Sequence, residues 1–221
     1  MILKDSMLLR KILMAGTGIL LALFLLGHML GNITIFGFYG GINAYAHHIQ
    51  SLGPLLWLIR LVMLAVLVIH VFFGIVLTLE NWKAKPSRYQ VRVYQRTDFA
   101  GRSMIYTGLI ILAFLLYHLL HFTLGLTNPD LYHLQDSAGR HDVFSMVVRS
   151  FQNVLIALAY AIGLVALFFH LSHGVYSLFQ TMGWNSDRIM SATEGFGKGL
   201  AVVLLVGFLL IPVTALLGLL A

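Results

Sequence analysis

Histidines inside apolar stretches are the residues of this chain that can do chemistry. The sequence of 221 residues contains 10 histidines and no cysteine. An ionisable side chain within a membrane is costly and is a functional hypothesis by default. Six histidines fall in long apolar stretches: His28, His70, His118, His121, His170 and His173. Because neutral imidazole binds transition metals and also transfers protons, the chemistry to consider is metal ligation or a proton relay.

Two of these histidines lie at one depth along their stretches. His28 follows Lys11 by 17 residues, and His118 follows Arg102 by 16. At a helical rise of about 1.5 Å per residue, both lie roughly 25 Å from the end that these cations mark. His28 and His118 are therefore predicted to share one level.

Two further histidines share a second level. His70 precedes Glu80 by 10 residues, and His170 precedes Gln180 by 10. Both lie roughly 15 Å from the same end of the bundle, so the two levels are about 10 Å apart along the membrane normal.

Two pairs of imidazoles, each from two different helices, match the requirement of haem iron for two histidine ligands. Two such haems, one above the other, would form an electron path across the bilayer. A proton relay would not need two matched levels. An error of one turn in the helix ends would exchange His118 for His121, or His170 for His173, as the ligand.

The composition places these histidines in a membrane. Hydrophobic residues make up 59% of the chain and charged residues 10%, against about 25% charged in an ordinary soluble domain. This balance excludes a soluble enzyme, a disordered regulator and a nucleic-acid binder. Five stretches are long enough to span the bilayer, at about residues 12–36, 55–79, 103–126, 151–179 and 199–220. We predict one all-α domain over residues 1–221, a bundle of five transmembrane helices.

The loop charges predict how the bundle is oriented. Positive charge is concentrated before the first stretch and in the loop between the second and third, which places both on the cytoplasmic side. The residues concerned are Lys4, Arg10, Lys11, Lys83, Lys85, Arg88, Arg92, Arg96 and Arg102. The loop over residues 37–54 has no Lys or Arg. The N-terminus is therefore expected in the cytoplasm and the C-terminus outside.

Short segments around the histidines carry a family resemblance. They are Tyr45-Ala46-His47, Tyr117-His118, His170-Leu171-Ser172 with Gly174, and Met182-Gly183-Trp184. With a histidine in each of the first four stretches, the whole chain resembles the diheme cytochrome b membrane anchor of succinate:quinone oxidoreductases. This is the five-helix, single-anchor type found in succinate dehydrogenases and fumarate reductases.

The resemblance implies ligands, partners and a location. His28 and His118 would hold the distal haem b, and His70 and His170 the proximal one. The partners would be a flavoprotein with covalent FAD and an iron–sulfur protein, both on the cytoplasmic face of the bacterial inner membrane. The substrate of the anchor would be a membrane quinone, with menaquinone the expected one. The anchor would transfer electrons for the enzyme complex and have no catalytic residue of its own.

Several polar residues are candidates for contacts with haem or quinone. Arg10, Arg102 and Ser103 begin their stretches and could bind haem propionates, although cations there also anchor helix ends at the headgroups. Arg60 lies about 8 Å into the second stretch, where it could reach a distal propionate or a quinone carbonyl, or extend outward to solvent. His47 in the first outer loop is a candidate for the quinone site, because an imidazole can donate, accept and exchange protons. An ordinary solvated loop is the alternative.

Two other functions stay open at this point. The chain could be the cytochrome b anchor of a formate dehydrogenase or hydrogenase, where four core helices and a different placement of histidines are expected. It could also be a haem-free transporter or proton channel, which would carry no pigment.

Overall fold

The computed structural model describes residues 6–37, 41–84, 99–184 and 186–220. These ranges contain α1 Met7–Ile33, α2 Gly41–Gln50, α3 Pro54–Lys83, α4 Phe99–His118, α5 Pro129–Tyr132, α6 Val143–Phe151, α7 Val154–Thr181 and α8 Asp187–Leu216. A short 3-10 helix, Thr34–Phe36, extends α1, and a π-helical segment, Leu119–Thr123, extends α4. The described part of the chain has no strand, and its one β-type pairing is a bridge between Gln135 and His141.

Five of these helices are long and apolar enough to cross a membrane: α1, α3, α4, α7 and α8. The prediction of a helical, multi-pass membrane protein is thus confirmed. The helix ends differ from the apolar stretches because capping side chains fix them. Ser6 accepts a hydrogen bond from the backbone of Leu9, so α1 begins at Met7 rather than near residue 12. Ser186 caps α8 in the same way, 13 residues before the predicted start at 199.

The bundle has two distinguishable ends. Arg10 near the start of α1 forms an ion pair with Glu80 near the end of α3, which defines the proximal end. The opposite, distal end carries α2 and α6. Five of the cationic positions on which the predicted orientation depends lie outside the described residues: Lys4, Lys85, Arg88, Arg92 and Arg96.

Close approach of helix backbones positions the spanning helices. α7 packs along both α4 and α8, and α1 packs along α3. Glycines lie at several close contacts between spanning helices: Gly163 of α7 lies against Phe114, Gly207 of α8 against Met29, and Gly197 of α8 against the backbone of Ser172. Small residues at such positions let membrane helices approach closely, because packing replaces the hydrophobic driving force between them.

The distal end is closed by a cap that we define as α2 together with residues 127–151. Asn43 of α2 donates from its side-chain nitrogen to Asp142 at 3.0 Å and accepts the backbone N–H of Phe144 at 2.8 Å. Asp136 accepts hydrogen bonds from Arg140 within the same cap. The sequence did not predict that α2 and α6 are helices.

Candidate functional site

The four histidines lie in two facing pairs inside the bundle. In the distal pair, His28 of α1 faces His118 of α4 with ring centroids 5.8 Å apart. In the proximal pair, His70 of α3 faces His170 of α7 with centroids 6.3 Å apart. The structure therefore brings together the same histidines that were predicted to share a level. The two histidines of each pair lie on different spanning helices.

The spacing of both pairs fits an iron atom between two imidazoles. A first-row metal ion bound by one nitrogen of each of two opposed rings, at about 2 Å, holds the ring centroids roughly 6 Å apart. Beside the proximal pair, a Cβ added at Gly174 would meet nothing within 4 Å, which leaves room next to His170. The described residues contain no group of three or more metal-binding side chains, and a bis-histidine haem site needs only two.

Hydrogen bonds fix which nitrogen of His70 is free. His70 Nδ1 lies 3.2 Å from the hydroxyl oxygen of Thr17 and 3.3 Å from the carbonyl oxygen of Met14. A carbonyl can only accept, so Nδ1 must carry the hydrogen. The lone pair then lies on Nε2, so this nitrogen is the one available to bind a metal.

His170 is held in the same way from α4. Its Nδ1 lies 3.2 Å from the hydroxyl oxygen of Thr107. Sequence reasoning missed both threonines. A signal was present in a repeated spacing of Met, Thr, Gly and His at positions 14, 17, 18 and 28 and again at positions 104, 107, 108 and 118.

The distal pair has less symmetrical surroundings. His118 Nδ1 lies 3.4 Å from the hydroxyl of Tyr160 on α7. The ring of His28 stacks on Phe24 of its own helix, with centroids 5.5 Å apart, and the side-chain nitrogen of Asn32 lies 3.4 Å from both of its nitrogens. The two levels therefore differ in the groups that orient their imidazoles.

The two alternative ligands have other contacts. His121 is 1% exposed, with Nδ1 3.0 Å from the Tyr160 hydroxyl and Nε2 close to both Ser150 and Asn128. The ring of His173 lies against Gly101 of α4, in the space that a Cβ would fill. His118 and His170, rather than these neighbours, face the opposing histidines.

The polar candidates at the proximal end have different surroundings. Arg10 pairs with Glu80, a partner that the sequence did not suggest, and its side chain is 14% exposed. The Nε of Arg10 and the second carboxylate oxygen of Glu80 are buried without a hydrogen-bond partner among the described residues. Arg102 is exposed and Ser103 half-buried near the start of α4. His47 is exposed on α2 at the distal end.

An open cavity with both polar and apolar walls lies at the surface near the distal end. It has a volume of about 420 Å³ and is lined by residues of α2, α3, the end of α4 and the cap, among them Gln50, Trp57, Arg60, Thr123, Tyr132 and His141. The guanidinium of Arg60 lies 4.9 Å from the centre of the Trp57 ring.

The protonation state of His141 follows from its burial. Burial lowers the pKa of His141 below its ordinary value, and this effect outweighs the raising effect of Asp142. His141 is therefore neutral at pH 7, and His47 does not line this cavity.

Comparison with the models of known protein families, with curated proteins and with solved structures gave no match.

Proposed function

We propose that this chain is the membrane-anchor cytochrome b subunit of a succinate:quinone oxidoreductase, a succinate dehydrogenase or fumarate reductase of a bacterial inner membrane. The observation that carries the proposal is the pair of facing imidazoles at each of two levels, with every imidazole on a different spanning helix. His28 and His118 would hold the distal haem b, and His70 and His170 the proximal one. Bound haem supplies reversible one-electron transfer.

The family resemblance implies the partners, an iron–sulfur subunit and a flavoprotein with covalent FAD. The lack of cysteine is consistent with this, because the chain can supply no thiolate ligand for an iron–sulfur cluster of its own. The positive-inside rule places the N-terminus and the loop after α3 in the cytoplasm and the C-terminus outside. The partners would therefore dock at the proximal end, close to the proximal pair.

The distal cavity supports a quinone as the membrane substrate. Arg60 can donate a hydrogen bond to a quinone carbonyl, and neutral His141 can donate one and exchange a proton. Reduction of a quinone takes up protons as well as electrons, so a titratable group that solvent can reach is useful there. A ring between Arg60 and His141 would also lie against Trp57 and Tyr132, which favour flat, apolar ligands.

The first prediction tests the haem pairs in the purified full-length chain. We expect two haems per chain and a reduced-minus-oxidised α-band. His70→Ala and His170→Ala should each lose the same haem, and His28→Ala and His118→Ala the other, because each haem needs both of its axial ligands. Haem content and redox titration measure this.

His48→Ala, on the exposed side of α2, is the matched control and should keep both haems. A folded but colourless wild type, or losses grouped in any other way, would contradict the haem assignment. Co-purification of a flavoprotein and an iron–sulfur protein tests the identity of the complex separately. Another dehydrogenase partner would keep the haems and reject the succinate assignment.

The second prediction concerns the cavity. Arg60→Gln removes the charge of a hydrogen-bond donor, and a hydrogen bond from a charged group contributes about 1.5–3 kcal/mol. We expect the KM for quinone in the assembled complex to rise by at least tenfold while haem content stays unchanged. Arg149→Gln on α6, an exposed position outside the cavity, should leave the KM as it is. An unchanged KM in Arg60→Gln would exclude Arg60 from the quinone site.

A further inference from the structure

The hydroxyl of Thr17 has one hydrogen, and the geometry shows where it goes. Its oxygen lies 2.8 Å from the carbonyl of Leu13 and 3.0 Å from that of Met14, both in its own helix. Because carbonyl oxygens only accept, the hydroxyl donates to the helix backbone. Its lone pairs remain available to accept the hydrogen of His70 Nδ1, at 3.2 Å.

Thr107 repeats this arrangement in the other half of the chain. Its oxygen lies 3.2 Å from the carbonyl of Ser103 and 3.1 Å from that of Met104. It therefore also donates to its own helix and accepts from His170 Nδ1, at 3.2 Å. Both threonines are buried, at 8% and 7% exposed, so neither bond competes with bulk water.

A glycine after each threonine holds the same imidazole from a second side. A Cβ added at Gly18 would lie 3.4 Å from Cε1 of His70, and one added at Gly108 would lie 3.4 Å from Cε1 of His170. The ring edge therefore rests on the backbone of the neighbouring helix while Nδ1 is bonded to the threonine. Together these contacts determine both the position and the plane of the ring.

We infer that Thr17 and Thr107 are positioning residues that fix the Nδ1–H tautomer and ring plane of the proximal ligands and thereby tune the proximal haem alone. This inference rests on the proposed function. A hydrogen bond accepted from the distant nitrogen of a ligating imidazole raises the basicity of the nitrogen that binds the metal. A more basic ligand favours the oxidised metal. The distal histidines have no threonine partner among the contacts described, so the effect is confined to one level.

The test uses the purified full-length chain with Thr17→Val and Thr107→Val, which keep the branched shape and remove the hydroxyl. In each variant the proximal haem, the one that His70→Ala removes, should be easier to reduce. Its reduction equilibrium constant should change about three- to tenfold, which corresponds to the free energy of one hydrogen bond. The low-spin EPR signal of that haem should shift as well. The other haem should stay unchanged. Thr17→Ser and Thr107→Ser keep the hydroxyl and should behave as wild type.

Thr214→Val is the matched control, because the hydroxyl of Thr214 bonds carbonyls of its own helix α8, Leu210 and Ile211. Loss of only the proximal haem in the valine variants, with two haems in the serine variants, would also support the inference. Serine variants as disturbed as the valine variants, or unchanged potentials and EPR signals in both valine variants, would overturn it. A colourless wild type would overturn the proposed function and this inference with it.

Discussion

His118 and His121 lie three residues apart and both contact Tyr160, but only His118 faces His28. The helix changes from α to π geometry directly after His118, and the backbone N–H of Leu124 bonds the carbonyl of Leu119 at 2.9 Å. Such a π turn alters the direction of the side chains that follow it. His121 consequently points to Tyr160 and Ser150, while His118 faces His28. One histidine is available to a ligand, and the other supports the cap.

The third prediction follows from this division of roles. His121→Ala removes the buried hydrogen bonds that His121 makes with Tyr160, Ser150 and Asn128, which should lower the free energy of unfolding by about 2–3 kcal/mol. We expect a lower unfolding temperature in detergent but a full complement of haem, because His118 is intact. Haem content and circular-dichroism melting measure the two effects. His133→Ala, at an exposed position of the cap, should change neither, and loss of the distal haem in a folded His121→Ala would contradict the assignment.

Residue spacing predicted which histidines meet but could not predict what orients them. The level of a side chain along a membrane helix depends only on helical rise, so counting from the helix ends was enough to group His28 with His118. The partners of Nδ1 depend instead on helix rotation and on close contacts between helices. The repeated spacing marks Thr17 and Thr107, but only the structure shows that they bond His70 and His170. The pairing of Arg10 with Glu80 is likewise visible only in the structure.

The elements that the sequence did not predict are the short helices of the distal cap. α2 and α6 have 10 and 9 residues, too few to produce a long apolar pattern. Side-chain bonds rather than span length define them. Asp142 caps the first turn of α6 by accepting from the backbone of Ser145, and Asn43 ties α2 to the same residue. Tyr132 and His141 of the cap line one side of the cavity, so the fold of the cap determines that wall.

The fourth prediction is a pH dependence of the cap. Hydrogen bonds from the backbone and side chain of Arg140 hold the pKa of Asp136 at about 2, below its ordinary 3.8. Since the folded pKa is depressed, the stability that the carboxylate adds is complete above about pH 4 and is lost as the pH falls towards 2. Asp136→Asn should therefore unfold at a lower temperature than wild type at pH 7, and the two curves should converge near pH 2.

Asp130→Asn, an exposed position in the same cap, serves as the control and should melt as wild type at pH 7. A gap between wild type and Asp136→Asn that stays constant from pH 7 to pH 2 would show that the ionised carboxylate has no part in holding the cap.

At the scale of the whole molecule, the length of each apolar stretch reliably predicted the spanning helices. All five spanning helices follow the apolar stretches, because a bilayer requires about 20 residues of helix whatever the tertiary contacts are. The helix ends were less predictable. Glu194 and Lys198 form an ion pair at 2.6 Å in the first turns of α8. These residues precede the predicted apolar stretch, so hydrophobicity alone assigned them to a loop.

The fifth prediction concerns orientation and uses the lack of cysteine in the chain. A single thiol introduced as Ser137→Cys in the cap should react with a membrane-impermeant maleimide in intact cells. Asn81→Cys at the proximal end should react only after the membrane is opened, because the positive-inside rule places that end in the cytoplasm. Both positions are exposed. The opposite labelling pattern would show that the orientation is the reverse of the predicted one. The proximal end would then lie outside the cell, where the expected partners could not dock.

The recurrence of one spacing in α1 and α4 has a consequence for how such a molecule can arise. Each histidine pair joins a residue to its own counterpart in the other half, His28 to His118 and His70 to His170, as equivalent residues meet across the axis of a twofold homodimer. Two copies of a polypeptide ending after α3 would contain all four of these imidazoles and both threonines. Gene duplication and fusion of such a subunit would yield this core, with α8 added outside the symmetry.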